Sequence, residues 1–272
     1  MTVSNDESPL SLDGSEIHVC QDGPRDAPAL LLIHGTAASL RWWDPMVPLL
    51  AGSHHVIRID LLGCGQSAKP DDASYALPDQ ARQIGAALDR LGIEHAIVVG
   101  HSSGSAFATA LAEQRPDLVT ALAFINFGPN MAAYIAEDIA IEPLQWPHLT
   151  DEQLRQMMSS GFRPGYEIPQ PYVDHFRDID LHVFAATSQA IRVYLEEQGL
   201  PERLMPLGKP LLVIFGEEDR RWRPCAAAEY RAVPDATIEM LPGVGHSPNI
   251  EDPPRTAVPL LTFTANHTQP AT

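Results

Sequence analysis

The stretch HAIVVGHSSGSAFATALAEQ, residues 95–114, carries the strongest structural signal in the chain. Residues 95–101 form a short apolar run, which predicts a strand covered on both faces of a parallel sheet. The run AFATALAEQ at 106–114 favours a helix. The motif G-x-S-x-G, Gly100 to Gly104, therefore falls on a sharp turn between a strand and a helix, with Ser102 at its centre.

A serine in this position is predicted to be a nucleophile. The turn strains its backbone and brings neighbouring chain close, so glycines on either side provide the space that is needed. The helix that follows points its N-terminal amides and the positive end of its dipole at the serine, where negative charge develops during acyl transfer.

Further apolar strand patterns recur along the chain, at residues 15–20, 29–34, 54–60, 121–126, 210–216 and 236–241. Stretches with apolar residues at helical spacing, such as 79–92, lie between them. Because parallel strands need long crossover connections, this alternation predicts an α/β fold with a mostly parallel sheet and helices on both faces.

Residues 128–208 break the alternation, since they contain helix-like segments but no strand pattern. We interpret this interval as an inserted helical cap, with residues 1–127 and 209–272 forming the core. Its aromatic residues are candidates for lining a substrate pocket, although most are expected only to pack the cap onto the core. They are Tyr134, Trp146, Phe162, Tyr166, Tyr172, Phe176, Phe184 and Tyr194. The final residues, 264–272, lack periodicity and are expected to be a frayed tail.

The composition fits one large domain with an insertion, since 44% of the 272 residues are hydrophobic and 19% are charged. The formal net charge of −17 repels phosphate backbones and anionic lipids, so we expect a small-molecule substrate and neither nucleic acid nor membrane as a partner. The charge is interpreted as a device for solubility, with attraction of a cationic substrate as the alternative. No metal or cofactor is expected, and the oligomeric state is left open.

Cys20, Cys64 and Cys225 are odd in number and form no C-x-x-C pair, so they predict neither a disulfide framework nor a zinc site. The polar and acidic N-terminal residues lack the features of a secretion signal. No apolar run approaches the roughly 18 residues of a membrane-spanning helix. We therefore expect a cytoplasmic protein.

A serine hydroxyl is a weak nucleophile at neutral pH, so it needs a base that is itself oriented by an acid. Asp219 is expected to be this acid because it follows the predicted strand 210–216, at the sheet edge where open α/β folds build their sites. Glu218 remains an alternative acid, and Glu217 is interpreted as a solvated loop charge.

His246 is expected to be the base, because it follows the last predicted strand and the acid in chain order, on a glycine-rich loop. His101 is interpreted as structural. Acyl transfer also needs two amide donors aimed at the oxyanion. The N–H groups of Ser103 and of Thr36, in the turn after strand 29–34, are the candidates, with an ordinary strand-to-helix turn as the alternative for Thr36.

Five motifs occur in one order: LLIHG at 31–35, DLLGCGQS at 60–67, GHSSG at 100–104, GEED at 216–219 and GHSPNIEDP at 245–253. With them the chain resembles the α/β-hydrolase superfamily, in the branch of capped serine hydrolases that contains esterases and lactonases. The resemblance implies an eight-stranded sheet and a cap inserted after the sixth strand. It also implies a catalytic triad of Ser102, Asp219 and His246 between sheet and cap.

The resemblance bears on three further positions. It implies that Asp60 lies in a structural turn and has no catalytic role. The serine at position 102 excludes the chemistry of dehalogenases and epoxide hydrolases, which carry an aspartate there. Some relatives carry an alternative acid at position 126, so the amide of Asn126 supports Asp219 as the acid.

We therefore expect a hydrolase that cleaves a carboxylic ester or lactone through an acyl-enzyme on Ser102. A thioesterase or a carbon-carbon bond hydrolase with the same triad is an alternative. A non-hydrolytic lyase or cyclase, with His246 as a simple acid-base, and a binding module without catalysis are alternatives from other classes.

Overall fold

The computed structural model describes residues 6–12, 15–137 and 143–268. Its strands are β1 (Asp6–Leu12), β2 (Ser15–Asp22), β3 (Ala29–Ile33), β4 (His55–Ile59), β5 (Ala96–His101), β6 (Val119–Ile125), β7 (Leu211–Gly216) and β8 (Thr237–Leu241). They form one sheet in the order β1-β2-β4-β3-β5-β6-β7-β8. The pairs β1-β2 and β2-β4 are antiparallel and the other pairs are parallel, which confirms the predicted eight-stranded, mostly parallel sheet.

The α-helices of the described residues are α1 (Val47–Leu50), α2 (Leu77–Arg90), α3 (Gly104–Gln114), α4 (Asp151–Met158), α5 (Gln170–Arg177), α6 (Leu181–Glu197), α7 (Leu200–Leu204), α8 (Pro248–Glu251) and α9 (Pro253–His267). Short 3₁₀ segments lie at Leu40–Trp43, Met131–Ala133, Trp146–His148, Ser159–Gly161, Met205–Leu207 and Pro224–Ala232.

Helices cover both faces of the sheet, as predicted. Successive side chains of a strand point to opposite faces, and β3 shows the consequence. Leu31 and Ile33 join the apolar cluster that contains the buried side chains of α2 and α3. Leu30 and Leu32 join a separate cluster on the other face, together with Phe263 of α9. The sheet is thus the middle layer between two apolar cores.

Strand β1 is absent from the strand patterns found in the sequence. Its segment DESPLSL is polar, and most of its side chains are exposed because β1 is an edge strand. The expectation of a frayed tail from residue 264 is wrong for its first residues, because α9 continues to His267. Thr264 is buried there, and its hydroxyl donates to the Leu261 carbonyl. Residues 269–272 lie outside the described part of the chain.

Helices α4 to α7 follow β6 in the interval 128–208, of which residues 138–142 lie outside the described part. Trp146 and Phe162 form a third apolar cluster with Trp42, which lies before β4. By contrast, Ile191 and Leu195 of α6 belong to the same cluster as α2 and α3. The division into a core and a cap at 128 and 208 therefore stays a prediction, since α6 packs directly on the core.

Candidate active site

Ser102 occupies a sharp turn between β5 and α3. Its φ of +51° lies in the left-handed region, which non-glycine residues rarely adopt. A Cβ atom at Gly100 would lie 2.3 Å from the Ser105 nitrogen, and one at Gly104 would lie 2.3 Å from the Ile33 carbonyl oxygen. Only glycine fits at these two positions, so the motif forces the serine to the tip of the turn.

The structure brings together Ser102, Asp219 and His246, which follow β5, β7 and β8 respectively. The distance from His246 Nε2 to Ser102 Oγ is 2.9 Å. The distance from His246 Nδ1 to Asp219 Oδ2 is also 2.9 Å. Asp219 and His246 are buried, whereas Ser102 is partly exposed to a cavity. This is the arrangement of nucleophile, base and orienting acid that acyl transfer requires.

The Asp219 carboxylate accepts hydrogen bonds on both oxygens. Oδ1 accepts from the backbone N–H groups of Arg221 (2.7 Å) and Trp222 (3.1 Å). Oδ2 accepts from Asn126 Nδ2 at 2.8 Å as well as from His246. Burial alone would raise the pKa of Asp219, but the attraction of His246 and these hydrogen bonds outweigh burial and lower it.

An ionised Asp219 fixes the tautomer of His246. A carboxylate can only accept, so the proton of the imidazole lies on Nδ1. Nε2 is then left with a lone pair that accepts the Ser102 hydroxyl proton. The geometry thus prepares His246 to act as a base.

The rival acids lie elsewhere. Glu217 and Glu218 are exposed, and the N–H of Glu218 donates to the Val244 carbonyl. The structure brings neither carboxylate into contact with His246 in the described part of the chain. Asp60 also lies apart from the triad. Its Oδ2 accepts the N–H of Gln66 in its own turn at 2.9 Å, and its Oδ1 accepts the Leu40 N–H at 2.7 Å.

Asn126 connects the acid loop to the histidine loop. Its Nδ2 donates to Asp219 and to the Gly245 carbonyl (3.1 Å), while its Oδ1 accepts the Gly216 N–H at 3.0 Å. Its φ of +50° allows the side chain to reach both loops from the end of β6. In the sequence, Asn126 indicates only that no acid stands at this position, and nothing there predicts the bridging contact.

Glu251 holds the backbone on both sides of His246, and sequence reasoning missed it as well. Its Oε2 accepts the Gly245 N–H and its Oε1 accepts the Ser247 N–H, each at 3.0 Å. The same Oε2 accepts the N–H of Arg163, which lies in the interval 128–208, at 3.1 Å. The signal was present in GHSPNIEDP, as an acid five residues after the histidine.

His101 contacts the backbone of the loop that carries His246. Its Nε2 lies 3.0 Å from the His246 carbonyl oxygen. Burial, with a smaller contribution from the nearby His246, lowers the pKa of His101 to about 3. His101 is therefore neutral at physiological pH, and it donates Nε2–H to that carbonyl.

The two proposed oxyanion donors lie in different environments. Among the described residues the Ser103 N–H has no hydrogen-bond partner. The Thr36 N–H, however, donates to Ser103 Oγ at 2.8 Å, and the Thr36 hydroxyl also contacts Ser103 Oγ at 2.8 Å. One donor is thus available, and the other is already engaged by the side chain beside the nucleophile.

A cavity of about 420 Å³ opens above Ser102 and His246. Its apolar lining includes Tyr134, Phe162, Phe176 and Phe184. Half of the aromatic residues considered in the interval 128–208 thus face the cavity, so the expectation that most of them only pack is wrong. The volume suits a small or medium-sized organic molecule.

The described residues contain no group of three or more histidine, cysteine or acidic side chains placed to hold a metal ion. No helix of the described part is long and apolar enough to cross a membrane. The three cysteines all lie in the described part, and no disulfide joins them.

Known proteins resemble the chain at several levels. The family model for the alpha/beta hydrolase fold matches residues 28–160. A haloalkane dehalogenase of Bradyrhizobium diazoefficiens is 40% identical over 114 residues, which are 42% of this chain and 36% of that protein. A 2-(acetamidomethylene)succinate hydrolase of Mesorhizobium japonicum is 27% identical over 259 residues, which cover 87% of each chain.

Among solved structures, a serine hydrolase involved in carbazole degradation superposes with a TM-score of 0.80. The alignment covers 97% of this chain and 100% of that chain at 23% identity, so it bears on the fold alone. These two relatives in sequence are hydrolases, and together with the family model they support a hydrolase here. From the motif order, the sheet and these likenesses together, the chain belongs to the α/β-hydrolase superfamily.

Proposed function

We propose that this protein is a serine hydrolase that cleaves a carboxylic ester or lactone through an acyl-enzyme on Ser102. The observation that carries the proposal is the continuous series of contacts from Ser102 Oγ through His246 to Asp219, each at 2.9 Å. The Ser102 end of this series lies in the cavity of about 420 Å³, where a substrate can reach the serine.

In the first half of the reaction, His246 Nε2 takes the hydroxyl proton as Ser102 Oγ attacks the carbonyl carbon. The imidazolium that forms is stabilised by the ionised Asp219. His246 then gives its proton to the leaving alcohol, and the acyl group remains on the serine. In the second half, water loses a proton to His246 Nε2 and its oxygen attacks the acyl carbon. The bond from that carbon to Ser102 Oγ then breaks, His246 returns the proton to Ser102, and the carboxylic acid is released.

The tetrahedral oxyanion formed in each half needs donors beside Ser102. The Ser103 N–H supplies the first. The Thr36 N–H supplies the second by exchanging its present acceptor, Ser103 Oγ, for the substrate oxygen. This exchange costs one neutral hydrogen bond and gains one to a charged oxygen, which is the stronger kind.

The same triad serves thioesters and carbon-carbon bonds, so these substrates stay as alternatives. A lyase or cyclase would need His246 alone and would leave the contact between His246 and Ser102 without a use. The serine excludes dehalogenase chemistry despite the likeness to a dehalogenase. We further propose a cap over residues 128–208, a small-molecule substrate and a cytoplasmic location, with three reduced cysteines.

The proposal is tested with a panel of aryl and alkyl esters, lactones and thioesters. Ser102→Ala should lower kcat by roughly 10⁴- to 10⁶-fold, as other triad knockouts do, while the Tm stays nearly constant. Kinetics and thermal unfolding of the same preparation measure both. A variant with more than a tenth of the wild-type kcat would contradict the acyl-enzyme.

Neighbouring acids supply the matched control. Asp219→Asn should lower kcat by about 10⁴-fold, because the amide no longer fixes the Nδ1–H tautomer. Glu218→Gln removes the same charge from the adjacent exposed residue and should leave kcat within about twofold. Equal losses in the two variants would argue against Asp219 as the acid.

Asn126→Asp should move the acid limb of the kcat/KM profile to higher pH. The wild-type carboxylate has a lowered pKa, so it stabilises the fold above the unfolded pKa of Asp and loses that effect as the pH falls. In Asn126→Asp a second carboxylate lies beside Asp219. Two like charges repel each other, so the pKa of the pair rises instead of falling, and one proton stays on the pair to higher pH. The free energy of unfolding at pH 7.5 should therefore fall by about 1–3 kcal/mol.

Profiles of kcat/KM from pH 5 to 9 and urea unfolding at pH 7.5 measure the two effects. An unchanged acid limb with an unchanged unfolding free energy would show that Asn126 does not support the charge on Asp219.

Ser103→Ala tests the exchange at Thr36. The substitution removes the acceptor that holds the Thr36 N–H, so kcat/KM for a good ester should rise, by up to about 10-fold for a bond worth 0.5–1.5 kcal/mol. Steady-state kinetics decide the sign. A loss of tenfold or more would instead mean that the Ser103 hydroxyl itself donates to the oxyanion.

A further inference from the structure

Arg221 lines the same cavity as Ser102 and is only partly exposed. Its guanidinium forms no hydrogen bond, ion pair or ring contact with any described residue. The nearby Asp219 does not neutralise it, because that carboxylate is taken up by His246, Asn126 and two backbone N–H groups. A partly buried cation without a partner is unfavourable unless a ligand supplies the missing acceptor.

The backbone of Arg221 is fixed at both ends of the residue. Its N–H donates to Asp219 Oδ1 at 2.7 Å, and its carbonyl accepts the Ile135 N–H at 2.9 Å. The next residue, Trp222, is buried and pairs with Tyr134 in an isolated bridge. The side chain therefore starts from a rigid base two residues from the acid of the triad, which is favourable for recognition.

Two other charged side chains line the cavity, and each differs from Arg221. Arg192 lies 3.9 Å from Glu196, so it has an acidic neighbour of its own. Glu137 also lines the cavity but is exposed, and it forms no ion pair with Arg221. An exposed carboxylate is already well solvated and gains little from a ligand, whereas the less exposed guanidinium gains more.

We infer that Arg221 binds a carboxylate of the substrate, so that the substrate class is an ester or lactone with a second, anionic group. This inference rests on the proposed hydrolase function. A guanidinium matches a carboxylate through two parallel N–H donors, which fixes the substrate in orientation as well as in place. Ser102 then attacks the ester carbonyl at the other end of the bound molecule.

The surface charge makes this recognition a short-range effect. A net charge of −17 repels anions at a distance, so it cannot attract such a substrate. Selectivity for the anion must come from the contact inside the cavity. Added salt screens the surface repulsion, and the preference for an anionic substrate should therefore persist or increase at high ionic strength.

The test compares two esters that differ only in a terminal charge, mono(4-nitrophenyl) adipate and 4-nitrophenyl hexanoate. The six-carbon chain keeps the carboxylate from attacking its own ester. Arg221→Gln should lower the ratio of kcat/KM for the anionic to the neutral ester by about 10- to 100-fold, the range of a charged hydrogen bond. Arg221→Lys should restore part of the ratio, since it keeps the charge without the paired donors.

Arg223→Gln is the matched control. Arg223 is exposed two residues further along, outside the cavity lining, and its side chain forms no hydrogen bond or ion pair with another described residue. This variant loses the same charge and should keep the ratio within about twofold of wild type. An unchanged ratio in Arg221→Gln, or an equal fall in both variants, would overturn the inference.

Binding separates this inference from the proposed function. In the Ser102→Ala background, calorimetry with intact monoethyl adipate should show a Kd about 10- to 100-fold weaker when Arg221→Gln is added. If the wild type hydrolyses no ester, the proposed function fails, and this binding measurement alone decides the carboxylate site. An equal Kd with and without Arg221 would refute the site.

Discussion

The Asp219 carboxylate is the contact on which the rest of the site depends. Its two oxygens accept from His246, Asn126 and the backbone N–H groups of Arg221 and Trp222. These donors keep the buried carboxylate ionised, and the ionised carboxylate fixes the His246 tautomer. Because the donors come from the ends of β6, β7 and β8, the site forms only when the parallel sheet has brought these strand ends to one edge.

Sequence reasoning located the features that depend on local chain geometry. The turn at Ser102 needs glycine on both sides, and the alternation of buried strands with helices is visible as apolar periodicity. Strand β1 is not predicted from the sequence, because an edge strand buries few side chains and so has no apolar pattern. The contacts of Asn126 and Glu251 are not predictable from the sequence, because each joins loops that lie close together only after folding.

Thr36, in the turn after β3, forms a contact that its residue type and its place in the sequence do not predict. The place of Thr36 after β3 predicts an oxyanion donor, but the structure shows its N–H engaged by the Ser103 side chain. Neither residue alone predicts this contact, since it depends on the close approach of two turns. In the proposed reaction the substrate oxygen replaces Ser103 Oγ as the acceptor of the Thr36 N–H, so the second oxyanion donor becomes available only when the substrate binds. The inference for Arg221, which lines the same cavity, is of the same kind, since its guanidinium would gain its acceptor from the substrate.

Labelling with a fluorophosphonate tests the central claim most directly, because the reagent reacts with an activated serine whatever the natural substrate is. Intact-protein mass spectrometry should show one adduct on the wild-type chain, and peptide mapping should place it on Ser102. Ser102→Ala should take up no label, and His246→Ala should react far more slowly. A folded wild-type protein that remains unlabelled, or equal labelling after Ser102→Ala, would contradict the account.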